Sequence, residues 1–452
     1  VYDLCGCGSD PPAAIRSALR HLTLTNVPMA TARNVLENCT KLEQLVFVAN
    51  EKRAPSAQLR SEFTLAVSRL PLQRAELHFG PETSLDFQLS LPTVTQLVLN
   101  STTPLLLSAP KLQELKICGP MPELDVSKTV FGAPALEKLT IIATLAEAPL
   151  CESLQQRRCF QALRCLKLEC SSLSLACAAQ LSLLPQLETL DADLSGSEPA
   201  LLARFVTALN KLQSLALAFP RRRVEQSQQT VPVSCGAASQ ILLSCLQHLS
   251  LHVCSATDED VASVFASVQA PRLQRLRANG SRTMFRLLQA NPSITNLELH
   301  GETCLPAHGL SALKQPVRLT TIKFSQEAIC NGAASTLNML LECSPQLIEA
   351  KSIPMEHAVA AALSLWSSST APQLRQLEFC WRPADLREES QLAIVKLAAA
   401  RPAVRLVLTR RANSVALAPG MSNQRHEQAL LSAIRALAPT SLIEFRSSLD
   451  SF

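Results

Sequence analysis

One short phrase recurs from one end of this chain to the other. It runs apolar, two variable residues, apolar, one variable residue, apolar, and a Pro often stands two residues ahead of it. Residues 110–117 (PKLQELKI), 134–141 (PALEKLTI) and 185–192 (PQLETLDA) are clear copies, as are 271–278 (PRLQRLRA), 292–299 (PSITNLEL) and 372–379 (PQLRQLEF). Weaker copies fill the gaps. First-position residues fall at Leu19, Leu42, Leu72, Val94, Leu112, Leu136, Leu163, Leu187, Leu212, Leu246, Leu273, Ile294, Leu319, Leu347, Leu374, Ala403 and Leu442. Their mean spacing is about 26 residues, a period that implies stacked like units rather than separate globular cores.

The phrase carries its own local structure. Its fourth and sixth positions alternate with variable residues, the period-two signature of a half-buried strand. Between phrases the spacing becomes helical. Residues 198–210 put Leu201, Leu202, Phe205, Val206 and Leu209 on one face. Thr257 is placed to cap a second helix, with Glu259 and Asp260 in its first turn and Val261, Val264 and Phe265 facing in. Residues 334–341, 356–365, 386–399 and 427–437 repeat the theme. The interval from Val94 to Leu112 leaves no room for a helix, so residues 72–136 are expected to use loops or a single 3₁₀ turn there. The expected fold is an α/β horseshoe, with one parallel sheet on the concave side and helices or loops on the convex side. Val1–Ala14 is a lead-in, and residues 15–452 form about seventeen irregular repeats.

Composition fits such a stack. Apolar residues make up 47% and charged residues 17%, which provides for a large core and argues against disorder. The net charge of +5 is small and scattered, with no basic face of the kind nucleic acid requires. Sixteen cysteines are too few for a disulfide scaffold of this size. Cys118, Cys165, Cys245 and Cys330 sit inside apolar patterns, as buried thiols of a reducing compartment would. No apolar run approaches a membrane span, and no signal-peptide pattern opens the sequence.

The phrase resembles the leucine-rich repeats of F-box proteins and of the ribonuclease-inhibitor-like group, over essentially residues 15–452. In the full repeat, Asn or Cys at position nine satisfies backbone groups as the chain leaves the strand. Asn50 and Cys254 fit and most other copies do not, which marks the repeats as divergent. The resemblance implies a protein-binding role, with substrate recognition for an F-box-type ubiquitin ligase as its setting. The F-box itself would lie upstream of Val1, and a ligase adaptor would dock there.

Positions three, five and seven of each phrase face away from the core and are the expected partner-binding surface. Among these are Arg74, Glu76 and His78 in repeat three, Lys167 and Glu169 in repeat seven, and Asp191 and Asp193 in repeat eight. Repeats ten to thirteen concentrate polar groups: His248 and His252, then Arg275, Arg277 and Asn279, then Glu298 and His300, then Lys323. Neighbouring strands lie about 4.8 Å apart, so these side chains form one patch, suited to an acidic or mixed protein surface. Glu349 and Lys351 extend it.

Catalytic and metal chemistry find little support. His248 and His252 stand about 13 Å apart on a strand, too far to share a zinc ion. Cys5 and Cys7 lack a second ligand pair, and Cys151, Cys159, Cys165, Cys170 and Cys177 lack zinc spacing. Neither phosphate-binding glycine motif occurs, nor a G-x-S-x-G elbow. Glycosylation triplets at Asn38, Asn100 and Asn279 are about as many as chance supplies. The long interval from Leu212 to Leu246 holds Arg221, Arg222 and Arg223, a basic insertion or a plain solvated one.

The sequence therefore points to a non-catalytic interaction scaffold without cofactor, cytoplasmic or nuclear, binding protein rather than nucleic acid or membrane. Two alternatives stay open, a leucine-rich-repeat regulator of a small GTPase and an extracellular receptor ectodomain.

Overall fold

The structure is a computed structural model. It describes residues 2–5, 16–50, 55–79, 87–101, 105–119, 132–142, 160–181, 184–194, 199–219, 240–253, 258–279, 281–300, 316–325, 337, 340–354, 370–381, 388–410, 428, 432, 436 and 442–447. The chain divides into two compact units, residues 1–196 with 214–217, and residues 197–213 with 218–452.

In the first unit a parallel ladder joins β1 (Tyr2–Cys5), β2 (His21–Val27), β3 (Gln44–Ala49) and β4 (Arg74–His78). Two further strands, β5 (Phe87–Ser90) and β7 (Leu105–Ser108), form a separate pair. The main ladder continues through β6 (Gln96–Asn100), β8 (Glu114–Cys118), β9 (Lys138–Ile142), β10 (Cys165–Leu173) and β11 (Thr189–Leu194). The register aligns the fourth phrase positions into one row: Leu22, Leu45, Ala75, Leu97, Leu115, Leu139, Leu166 and Leu190. Each is at most 2% exposed. A leucine so buried contributes about 1.5–3 kcal/mol, so the row explains why the phrase repeats that position so strictly.

Strand β12 (Ser214–Phe219) falls across the division. The second unit holds β13 (Ile241–Leu242), β14 (His248–Val253), β15 (Val268–Gln269), β16 (Arg275–Ala278), β17 (Asn296–Leu299) and β18 (Thr321–Phe324). Its last strands are β19 (Glu349–Pro354), β20 (Gln376–Trp381), β21 (Arg405–Arg410) and β22 (Ile443–Ser447). Strand β14 and β16 to β22 again run parallel, with Leu249, Leu276, Leu297, Ile322, Ala350, Leu377 and Leu406 as the buried row.

The segments between strands cover the back of this row. Helix α1 (Met29–Leu36) buries Met29, Ala32, Val35 and Leu36. Helix α2 (Ala57–Ser68) starts at Ser56, whose hydroxyl accepts from the Leu59 N–H at 3.2 Å. Its Phe63 packs 5.0 Å from Phe47 and 6.4 Å from Phe79, ring centre to ring centre. Helix α3 spans Leu175–Leu181, and α4 (Pro199–Ala208) buries Leu202, Phe205 and Val206. Helix α5 (Asp258–Phe265) buries Val261, Val264 and Phe265. Helix α6 (Arg282–Ala290) is capped by Ser281, and α7 spans Glu388–Ala400. Regular parallel strands on one side and helices on the other make this an α/β leucine-rich-repeat solenoid fold.

Several expectations are corrected. A strand, β1, precedes the first phrase, inside what read as a lead-in. Behind residues 72–136 the described backbone includes paired strand where loops or a 3₁₀ turn were expected: β5 and β7 pair in parallel, and Gly132 bridges to Ser108. The last phrase is displaced, because Ile443, not Phe445, lies opposite Leu406, and Leu442 is 60% exposed. Ala403 is exposed and its neighbour Val404 is buried instead. Leu201 is 37% exposed, off the buried face of α4. The expected helices at 356–365 and the cap at Thr257 lie outside the described residues, as do most of 334–341 and 427–437 and all of Arg221–Arg223.

Candidate functional site

The patch anticipated on repeats ten to thirteen lies wholly in the second unit, on the strand face opposite the buried row. Register pairs His248 with Arg275, Arg275 with Asn296, and Asn296 with Thr321. A second row runs Ser250, Arg277, Glu298, Lys323 and Lys351. Alternation with buried leucines forces these side chains outward. Arg275, Arg277, Lys323 and His252 are exposed, while His248 and Glu298 are half-buried. Ser250, Asn296 and Thr321 belong to the same rows, although their ordinary polarity drew no notice in the sequence.

Charge on this face is partly self-compensated. Arg277 Nε stands 3.6 Å from Glu298 Oε1, and Lys351 Nζ 2.6 Å from Glu349 Oε2. Among the described residues, no carboxylate pairs with Arg275 or Lys323. Burial, with the Arg275 guanidinium beside it, holds the His248 imidazole below its ordinary pKa.

Two of the expected surface residues are turned into the fold. Asn279 is only 6% exposed, and its side chain accepts from the Val253 N–H at 3.1 Å and donates to the Val253 carbonyl at 2.5 Å. It therefore serves as a backbone clamp between adjacent repeats rather than as a partner contact. His300 is 8% exposed. With Asn279 tucked away, His252 and His300 meet across the intervening strand, ring centres 5.2 Å apart and Nδ1 atoms 3.4 Å apart. Burial, then Arg277 and His252, push His300 down to about 4, and the nearby Leu251 carbonyl opposes them only in part. Its Nε2 and the hydroxyl of Ser325 are buried without a hydrogen-bond partner.

The backbone clamp expected at position nine is absent at Asn50, which is exposed; Cys254 lies outside the described residues. A comparable clamp operates on the back side, where Asn291, 2% exposed, accepts from the Ala270 N–H and donates to the carbonyls of Val268 and Leu287. The first unit's face differs in character. Lys167 bridges Glu169 at 2.6 Å and Asp191 at 3.5 Å, and His78 pairs with Glu76 at 2.8 Å.

Depressions among the described residues are open to solvent. One of about 520 Å³ is lined by Gln247, Pro271, Arg272, Gln274, Ser293 and Thr295, and one of about 160 Å³ lies over Val98 and Lys116 in the first unit. Among the described residues, no group of three or more His, Cys, Asp or Glu could hold a metal ion. Cys39, Cys118, Cys165, Cys245, Cys343 and Cys380 form no disulfide, and burial raises the pKa of Cys39, Cys118, Cys165 and Cys343. Cys118, Cys165 and Cys245 are half-exposed rather than buried, and Cys330 lies outside the described residues. Among the described residues, no helix is long and apolar enough to cross a membrane.

No protein-family model matches the chain, and no curated protein matches it. Among solved structures it is similar to the chain of a TLR13–ssRNA13 complex, at 17% identity and a TM-score of 0.47, covering 99% of this chain and 55% of that one. It is also similar to the leucine-rich-repeat-containing protein LegL7 from Legionella pneumophila, at 12% identity and a TM-score of 0.37, covering 72% of this chain and 98% of that one. The chain thus spans about half the length of the TLR13 chain.

Proposed function

We propose that this protein is a non-catalytic recognition scaffold whose exposed strand face holds a protein partner. One observation carries the reading: parallel register lines the variable phrase residues into continuous rows, a broad polar surface on the strand face. Such rows offer many side chains to one large partner surface. The finer setting is substrate selection for an F-box-type ubiquitin ligase.

Affinity capture with the full-length protein tests both levels. Recovery of ubiquitin-ligase adaptors supports the ligase setting, and their consistent absence ends it. Crosslinks from a captured protein to Arg277 or Lys323 support the scaffold reading. Crosslinks confined to the helical side overturn it.

A further inference from the structure

We infer that the face formed by β14, β16, β17 and β18 receives an acidic polypeptide segment through Arg275 and Lys323, and binds it more tightly as the medium is acidified. This deepens the scaffold reading and rests on it.

The charge pattern favours a carboxylate-bearing partner. Arg277 and Glu298 neutralise each other in the centre of the patch, as do Lys351 and Glu349 beside it. Arg275 and Lys323 remain as exposed cations on either side of that centre, with no counter-ion among the described residues. They are two strands and two residues apart, about 12 Å between Cα atoms, the span of roughly four residues of extended chain. Two carboxylates on a short extended segment match that distance. Nucleic acid is a poorer fit, because its affinity comes mainly from many cation–phosphate contacts and, among the described residues, this face leaves two cations uncompensated.

The imidazole pair supplies the acid response. His252 and His300 share one Nδ1–Nδ1 hydrogen bond, which demands that one of the two nitrogens carry no proton. Among the described residues the surrounding charges are His248 on β14, Arg275 and Arg277 on β16, Glu298 on β17 and Lys323 on β18; Ala218 holds the corresponding place on β12. All but Glu298 are cationic or can become so, and with burial they hold the His300 imidazole below its ordinary pKa. A bound carboxylate reverses that field and favours protonation, and by linkage protonation favours the bound carboxylate.

The probes are fluorescent peptides of about twelve residues, alternating Ser with Glu, Gln or Lys, and a single-stranded RNA of similar length, titrated against the whole chain at low salt. The Glu peptide is expected to bind best, and Arg275→Glu with Lys323→Glu to weaken it about tenfold or more. Both sites are exposed, and a circular-dichroism melt confirms that the double variant folds. Affinity for the Glu peptide is expected to rise about threefold or more between ~pH 7.5 and ~pH 5.5, with most of that rise lost in His252→Gln. A Glu peptide that binds no better than the Gln or Lys peptide overturns the inference, as does tighter RNA binding or indifference to the double variant. Hydrogen-exchange protection separates the two levels. If another peptide protects a strand face, the inference falls and the scaffold reading stands; if neither these peptides nor captured proteins protect any strand face, both fall.

Discussion

Asn279 holds both peptide groups of Val253 with one side chain, its carbonyl oxygen taking the N–H and its amide nitrogen reaching the C=O. Removing it leaves a buried donor and a buried acceptor without partners, at a cost of about 2–4 kcal/mol. Asn279→Ala is therefore expected to lower the unfolding temperature and to speed hydrogen exchange at the Val253 amide. Asn279→Asp is expected to be nearly as damaging, because a carboxylate cannot donate to the Val253 carbonyl. Unchanged exchange at Val253 in the Ala variant would refute the clamp.

Stability should fall with acid through His300. Its folded-state pKa of about 4 lies below the unfolded value of about 6.5, so the unfolded chain takes up the proton first. The stabilisation is complete above ~pH 6.5 and drains away toward ~pH 4, by up to about 3 kcal/mol. His248, lowered for the same reason, adds to the same slope. Thermal melts across this window should show a shallower decline for His300→Gln than for the parent. Parallel declines would show that His300 titrates as an exposed imidazole does.

The three-ring contact of Phe47, Phe63 and Phe79 ties α2 to the strands in front of it. Phe63 is fully buried, so Phe63→Ala is expected to cost about 3–5 kcal/mol. Phe63→Leu, which keeps most of the volume, should cost distinctly less. Equal melting temperatures for the two variants would mean that the site collapses around either residue.

Gly132 has no space for a side chain. A Cβ there would collide with the Leu107 carbonyl oxygen and stand 2.8 Å from the Ser108 Cα. Gly132→Ala must push the backbone away and weaken the hydrogen bond from the Ala109 N–H to the Gly132 carbonyl. We expect loss of exchange protection at Ala109 while amides of β14 to β18 keep theirs. Retained protection at Ala109 would contradict this.

What the sequence disclosed is what its periodicity governs. Period-two alternation sets Leu249 inward and Ser250 outward, and the register places them accordingly. The same rule misjudged Asn279, since alternation decides which way a residue leaves the strand but not whether a short amide can fold back to the neighbouring backbone. The contact of His252 with His300 was hidden for that reason: two strands apart, they meet only because Asn279 has vacated the space between them. At Leu442 the error had another origin. A slip of two residues preserves alternation, so only the pairing of Ile443 with Leu406 reveals it. Behind residues 72–136 the short interval excluded helices, but Leu105–Ser108 lacks alternation against a solvated side and did not read as a strand. The spacing of Met29, Ala32, Val35 and Leu36 did contain a helical signal for α1.

Alternating inward leucines with outward variable residues separates two kinds of selection within one strand. The leucines answer to the neighbouring repeats, and the residues between them answer to whatever lies outside. A lineage could thus exchange every side chain of the second row, Ser250 through Lys351, and acquire a new specificity on an unaltered frame. Asn279 is where that freedom stops: it occupies an outward place in the phrase yet is bound to the interior, so the surface there cannot be rewritten without loosening the stack.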